Sequence, residues 1–188
     1  MTMIATTQDL MVYTVQDFEQ LPVDGMFEVV DGRAILMPAN DSTHQDYSLG
    51  IANLFLGEFR HLGYGYVCQA LNVFIPRPPG SIGEVQNRIP DIVVSRRRPE
   101  KHYEAGDPPE LVIEILSTRR GKVERTEKMD DYALAGIAEY WIVDPFRRLV
   151  EVYYLENGDY TLQTREPDAA LAPRGFPGVH ITPAEIWT

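Results

Sequence analysis

Cysteine is almost missing from this chain: Cys68 is the only one in 188 residues. One thiol excludes an intrachain disulfide and a cysteine-built zinc site, and such a chain suits a reducing, cytoplasmic setting. Long apolar runs are missing as well. No stretch approaches the ~20 uninterrupted apolar residues of a membrane helix, so no membrane partner is expected. The segment from Met1 to Leu10 has no basic residue ahead of its weak apolar stretch, and is not expected to act as a secretory signal. No glycine-rich phosphate loop or dinucleotide fingerprint occurs. No Gly-x-Ser-x-Gly elbow occurs either, which leaves Ser117 without a hydrolase context. His44, His61, His102 and His180 lack close ligand spacing, which argues against zinc. Positive charge is scarce: 17 Lys and Arg against 28 Asp and Glu give a net charge of -11. Such a chain repels polyanions at long range, so any nucleic-acid contact must be local or assisted by bound cations.

What is present suffices for one sizeable core, with 44% of the residues hydrophobic. No repeat or linker divides the chain, so one domain over 1–188 is expected, with residues 1–12 as a flexible N-terminus. Thr14 caps a short predicted helix containing Val15, Phe18 and Leu21, with Pro22 as its stop. Phe27 to Val30 and Arg33 to Met37 flank Asp31-Gly32, a two-residue hairpin signal. Ser42 to Arg60 fits a helix with Tyr47, Ile51, Leu54, Phe55 and Phe59 near one face, ended by Gly63 and Gly65. Tyr66 to Ile75 reads as one strand.

Three short apolar runs follow, at Ile89 to Ser95, Leu111 to Leu116 and Tyr140 to Val143, as strands buried on both faces do. Arg96 to Pro109 reads as a loop, and Lys122 to Ala135 as a helix ended by Gly136. Strand, helix, strand at this length implies a crossover in a mixed sheet. Strands at Leu149 to Leu155 and Tyr160 to Thr164, joined by Asn157-Gly158, extend it antiparallel, and Thr182 to Trp187 forms one last helical turn. The expected class is α/β (α+β): a mixed sheet flanked by helices, with an N-terminal hairpin and C-terminal antiparallel strands.

The most informative residue is an acid inside an apolar strand. Glu114 interrupts Leu111-Val112-Ile113-Glu114-Ile115-Leu116, and a buried carboxylate protonates or finds a cation. Alternation puts Glu110, Val112, Glu114 and Leu116 on one face. Asp91, straight after Pro90, opens the preceding apolar strand. Two carboxylates on neighbouring strands, completed by water and a phosphate, are what magnesium prefers. The residues alone leave a second reading open, in which Asp91 caps a loop and Glu114 pairs with an arginine such as Arg88. Val123, Ala133, Leu134 and Ile137 form an apolar stripe on the following helix, with Lys128 and Tyr132 together on another face. Lys128 is either a solvated helix lysine or a charge aimed at a phosphate. His44 begins the long helix and Glu28 lies in the first hairpin; both are candidates for the same cleft. Arg96, Arg97 and Arg98, and the group Arg119, Arg120, Lys122 and Arg125, are either solvated loops or phosphate contacts.

The order Glu28-Val29-Val30-Asp31-Gly32, His44, Arg88-Ile89-Pro90-Asp91 and Pro109-Glu110-Leu111-Val112-Ile113-Glu114-Ile115-Leu116-Ser117 resembles the Uma2 family, also called the domain of unknown function 820 and common in cyanobacteria. The match continues through Lys128, Tyr132, Ala135-Gly136 and Glu139-Tyr140-Trp141-Ile142-Val143-Asp144-Pro145, and covers the chain from about Tyr13 onward. The resemblance implies a PD-(D/E)xK restriction-endonuclease-like core and metal-assisted hydrolysis of phosphodiesters, DNA being the expected substrate. Asp91, Glu114 and the Ile115 carbonyl would hold one or two Mg2+ ions, with Mn2+ as a substitute, and Lys128 would steady the attacking water or the phosphate. Glu28 and His44 would stand in the same cleft. The usual lysine two residues after the second acid is replaced by Leu116, and Lys128 takes its part from the next helix. Thr118-Arg119-Arg120 and Glu110 also depart from the family pattern. Cutting both strands of a duplex would call for a homodimer. The rival expectation is a nuclease fold kept as an inactive binding module, and a second is activity on another phosphoester.

Overall fold

Asp31 and Gly32 adopt left-handed backbone at φ 49° and 73°, the geometry that lets a two-residue turn follow the strand twist. In the computed structural model, which describes residues 11–21, 25–119, 121–165 and 169–187, they join β1 (Phe27–Val30) to β2 (Arg33–Leu36). Pro22, Arg120 and the chain before Met11 lie outside the described residues. Met11 and Val12, expected in a flexible terminus, are instead held: Met11 bridges Arg33, and Val12 is fully buried. Thr14 caps α1 (Val15–Glu19) in a reciprocal box with Asp17.

Helix α2 (Ser42–Leu62) starts at the Asp41 cap and ends on left-handed Gly63. The predicted strand over Tyr66 to Ile75 is two strands, β3 (Tyr66–Gln69) and β4 (Val73–Phe74). Ala70, at φ 50°, turns the chain between them. The run Ile89 to Ser95 breaks in the same way, into β5 (Asn87–Arg88) and β6 (Ile92–Ser95). Pro90 has no N–H for a ladder, so pairing stops beside it. β3 pairs β6 and β4 pairs β5, both antiparallel, so these strands form one ribbon creased at Ala70 and Asp91. Across the crease the Ala70 N–H donates to the Asp91 carbonyl at 3.3 Å.

Beyond the crease the ribbon feeds two sheets. The smaller has the order β2-β1-β5-β4. The larger is completed by β7 (Leu111–Ile115), β8 (Glu139–Asp144), β9 (Leu149–Glu156) and β10 (Asp159–Thr164), in the order β10-β9-β8-β7-β6-β3. Only β7 and β8 run parallel, joined by the crossover helix α3 (Glu127–Ala135). α3 begins later than Lys122 because residues before it form turns, with the Thr126 hydroxyl donating to the Lys122 carbonyl at 2.6 Å. The closing turn is α4 (Pro183–Ile186).

β7 divides the core. Leu111, Ile113 and Ile115 face α2, where they pack with Ile51, Phe55, Phe59 and Trp141. Val112 and Leu116 face α3, with Tyr132, Tyr140 and Val93. Truncating an aromatic such as Phe55 to Ala costs ~3–5 kcal/mol in a core of this kind. The apolar stripe predicted for the α3 segment holds only in part: Ile137 is fully buried, but Val123 and Leu134 are 41% and 47% exposed, and the inward face of α3 carries Lys128, Tyr132 and Ala135. No helix among the described residues is long and apolar enough to cross a membrane.

Glu139 is one of the buried acids that lie away from the crease, with Asp144 and Glu151. Glu139 accepts from Trp141 Nε1–H at 2.6 Å and from the Arg174 N–H at 2.7 Å, yet burial pushes its carboxyl up to about 7. The folded chain therefore holds this proton more tightly than the unfolded chain, so the stabilisation is present below the ordinary value of 4.5 and lost as pH rises through about 7. Glu139→Gln, which cannot ionise, should gain melting temperature relative to the parent as pH climbs from about 5 to about 8. Thermal melts at several pH values check this; parallel curves would refute it.

Candidate active site

Alternation along β7 turns Glu114 toward α3, and the lysine four residues before Tyr132 turns to meet it. Glu114 Oε1 accepts from Lys128 Nζ at 2.8 Å and from the Tyr132 hydroxyl at 2.5 Å. Lys128 is therefore a buried partner rather than a solvated helix lysine, and the suggested pairing of Glu114 with Arg88 does not occur. Arg88 answers other acids: its Nη1 meets Glu28 Oε2 at 2.8 Å, and its Nε meets Asp131 Oδ2 at 2.6 Å. Glu28 Oε1 also accepts from the Ile89 N–H at 3.0 Å and lies 3.8 Å from Lys128 Nζ. Gln86 Nε2 donates to Asp131 Oδ1, closing a chain of alternating charge from β7 through α3 and β1 to β5.

Asp91 stands at the crease and reaches the far end of β7. Its Oδ2 accepts from the Ile115 N–H at 2.7 Å and lies 3.1 Å from His44 Nε2. His44 Nε2 is also 3.2 Å from the Ile115 carbonyl, so one nitrogen faces both oxygens. His44 Nδ1 is buried without a hydrogen-bond partner among the described residues. Burial works against charging this imidazole, but Asp91 and the Ile115 carbonyl outweigh it and hold its pKa above the ordinary value.

Burial likewise pushes the Glu114 carboxyl up to about 8, although Lys128 and Tyr132 pull the other way. Burial works against the Lys128 ammonium, but Glu114, Glu28 and Asp91 outweigh it and hold its pKa above the ordinary value, so Lys128 is the lasting charge of the two. Among the described residues Glu28, Glu114 and Asp131 pair with the permanent cations Arg88 and Lys128, and Asp91 meets His44. The junction is short of positive charge.

The predicted residues Asp91, Glu114, Ile115, Lys128, Glu28 and His44 thus meet at one junction of β1, α2, the crease, β7 and α3. Sequence reasoning left out Asp131 and Gln86, and gave Arg88 the wrong partner. No spacing signals Asp131, which lies 43 positions from Arg88.

This creased mixed sheet with acids at its fold is the architecture of a nuclease-like α+β protein. A crystal structure from Anabaena variabilis, described as "a putative nuclease belonging to DUF820", is similar with a TM-score of 0.69 and 19% identity, over 92% of this chain and 96% of that one. At that identity the likeness establishes the fold. The sequence profile of Uma2, described as "Putative restriction endonuclease", matches residues 15–184, and the chain belongs to the Uma2 family. No protein of curated function matches the chain.

Removing one partner of a buried ion pair strands the other, at a cost of ~3–5 kcal/mol. Lys128→Met should be destabilised by that order, and adding Glu114→Gln should recover part of the loss, with a coupling of ~0.5–3 kcal/mol. Urea denaturation of the parent, both single variants and the double variant measures it; additive losses would refute the pairing.

Proposed function

We propose that this protein is a divalent-metal-dependent phosphodiesterase acting on nucleic acid, with DNA as substrate and Mg2+ as the ion, Mn2+ substituting. One observation carries the reading: Asp91 Oδ2 and the Ile115 carbonyl both face His44 Nε2, beside a buried Glu114 whose carboxyl burial has pushed up to about 8. Oxygens gathered in this way, among acids that outnumber the permanent cations Arg88 and Lys128, suit a hard cation.

The donor set fits magnesium. Among the described residues no three His, Cys, Asp or Glu side chains are grouped so as to hold a metal ion by themselves. Mg2+ uses one or two carboxylates and keeps waters and substrate oxygens for the rest, so an open set is its habit. Asp91, Glu114 and the Ile115 carbonyl would hold the ion. When bound, it supplies Lewis acidity that eases deprotonation of water and neutralises charge on phosphoryl oxygen.

The chain's own residues divide the remaining work. Lys128 fixes Glu114 Oε1 and brings an ammonium that stays charged, suited to oppose negative charge growing on a phosphate. Glu28, clamped by Arg88 and the Ile89 N–H, sets the far side of that ammonium. His44 Nε2 can hold or pass a proton beside Asp91. The six-stranded sheet ends in β10, and that edge is the proposed surface for a second copy when a duplex is cut.

Incubating plasmid and oligonucleotide DNA with the protein, in Mg2+ or in EDTA, tests the reading. Cleavage is expected only with the ion, and Asp91→Ala and Glu114→Gln should each lower it by at least about 100-fold. Cleavage that both variants retain would contradict the reading, and none in the parent would favour an inactive binding module.

A further inference from the structure

The junction borders a cavity whose lining includes residues that the hydrolytic reading does not use. On the α2 and β8 side lies a cavity of ≈ 230 Å³ lined by His44, Tyr47, Ile115, Leu116, Ser117 and Phe146, among others. His44 and Ile115 belong to the catalytic junction, so the cavity and the proposed metal donors share residues.

Its walls are aromatic, and braced. Tyr47 packs edge-on against Trp187, with ring centroids 5.8 Å apart. Phe146 is 44% exposed, but its loop is fixed: Asp144 Oδ1 accepts from the Phe146 and Arg147 N–H groups, each at 3.0 Å. The Arg119 guanidinium lies over the Phe146 ring, 5.8 Å from its centroid. Asp41 also lines the cavity, with its carboxylate turned to the His44 N–H as the α2 cap.

The two basic groups noted in the sequence part company here. Arg96 is bonded to the Gly175 carbonyl, Arg97 is paired with Asp107, and Arg98 lies over Tyr66. In the second group Arg125 is held by Glu151. Arg119 is the cation that joins an exposed aromatic beside the junction.

We infer that this cavity is a subsite for one unstacked nucleobase of a single strand, next to the scissile phosphate, with Phe146 as stacking platform and Arg119 toward the adjoining phosphate. Size and chemistry both point there. Pockets for drug-sized ligands run from about 300 to 1,000 Å³, so this smaller one suits a single base. An aromatic face paired with a guanidinium is a sequence-tolerant device for binding single strands. A base inside a duplex must leave its stack to enter, at a cost of a few kcal/mol. The subsite rests on the phosphodiesterase reading and gives it a preference for unpaired strands.

Fluorescence anisotropy tests it, using a short labelled single-stranded oligodeoxynucleotide and the same strand annealed to its complement, in low salt with Ca2+. Phe146→Ala should bind the single strand roughly five- to 150-fold more weakly, the span of one base stack. Phe146→Trp should bind it at least as well as the parent, and the duplex should respond less to either change. Equal loss with both variants, equal loss on both DNA forms, or no loss in Phe146→Ala would overturn the subsite. The first proposal is judged separately: ion-dependent cleavage that needs Asp91 would leave it standing after any of these results. A parent protein that neither binds nor cuts either form would remove both.

Discussion

The contact between Glu114 Oε1 and Lys128 Nζ, 2.8 Å long and sealed from water, is the constraint around which the rest of the junction is arranged. A carboxylate in the middle of a central strand is costly to bury unless a cation stands beside it. That cation must itself be balanced, and Glu28 does so from the smaller sheet. Glu28 in turn is held by Arg88, and Arg88 by Asp131, one turn of α3 beyond Lys128. The polar chain returns to the helix where it began, tying the two sheets together through alternating charges. Each member is ordered because its neighbours are.

The crease brings Asp91 to this network. A flat ribbon would carry Asp91 along one sheet. The bend at Ala70 and Pro90 instead places Asp91 at the start of β6, where its side chain reaches the Ile115 amide on β7. Glu114 and the Ile115 carbonyl are consecutive on that strand, so one short stretch of β7 presents donors to both sides. His44 arrives from the first turn of α2, positioned by the Asp41 cap. Topology brings these groups together, gathering four acids beside the permanent cations Arg88 and Lys128.

Much of the fold was legible because its signals are local. Asp31-Gly32 and Asn157-Gly158 mark their hairpins, Gly63 and Gly136 end their helices, and Leu111 to Ile115 announces a buried strand. The crease was not legible, because an alanine at φ 50° follows from the competition of two sheets for one ribbon and not from its own preference. α3 was misread for a physical reason too. Val123 and Leu134 are exposed while Lys128, like Ile137, is buried, because the strand beneath the helix carries an acid that Lys128 meets. Where a site inverts the usual polarity, hydrophobic periodicity points to the wrong face. The acids Asp91 and Glu114 were visible as exceptions to an apolar pattern. Their partners Arg88 and Asp131 meet across 43 positions, and no spacing rule connects them.

Isothermal calorimetry of Mg2+ binding, without nucleic acid, tests most directly whether this junction is a cation site. The parent should bind Mg2+ and release protons in doing so, since an ion favours the ionised form of Glu114. Asp91→Ala and Glu114→Gln should each abolish the heat while remaining folded. Binding that survives both substitutions would place the ion elsewhere and contradict the assignment of the junction.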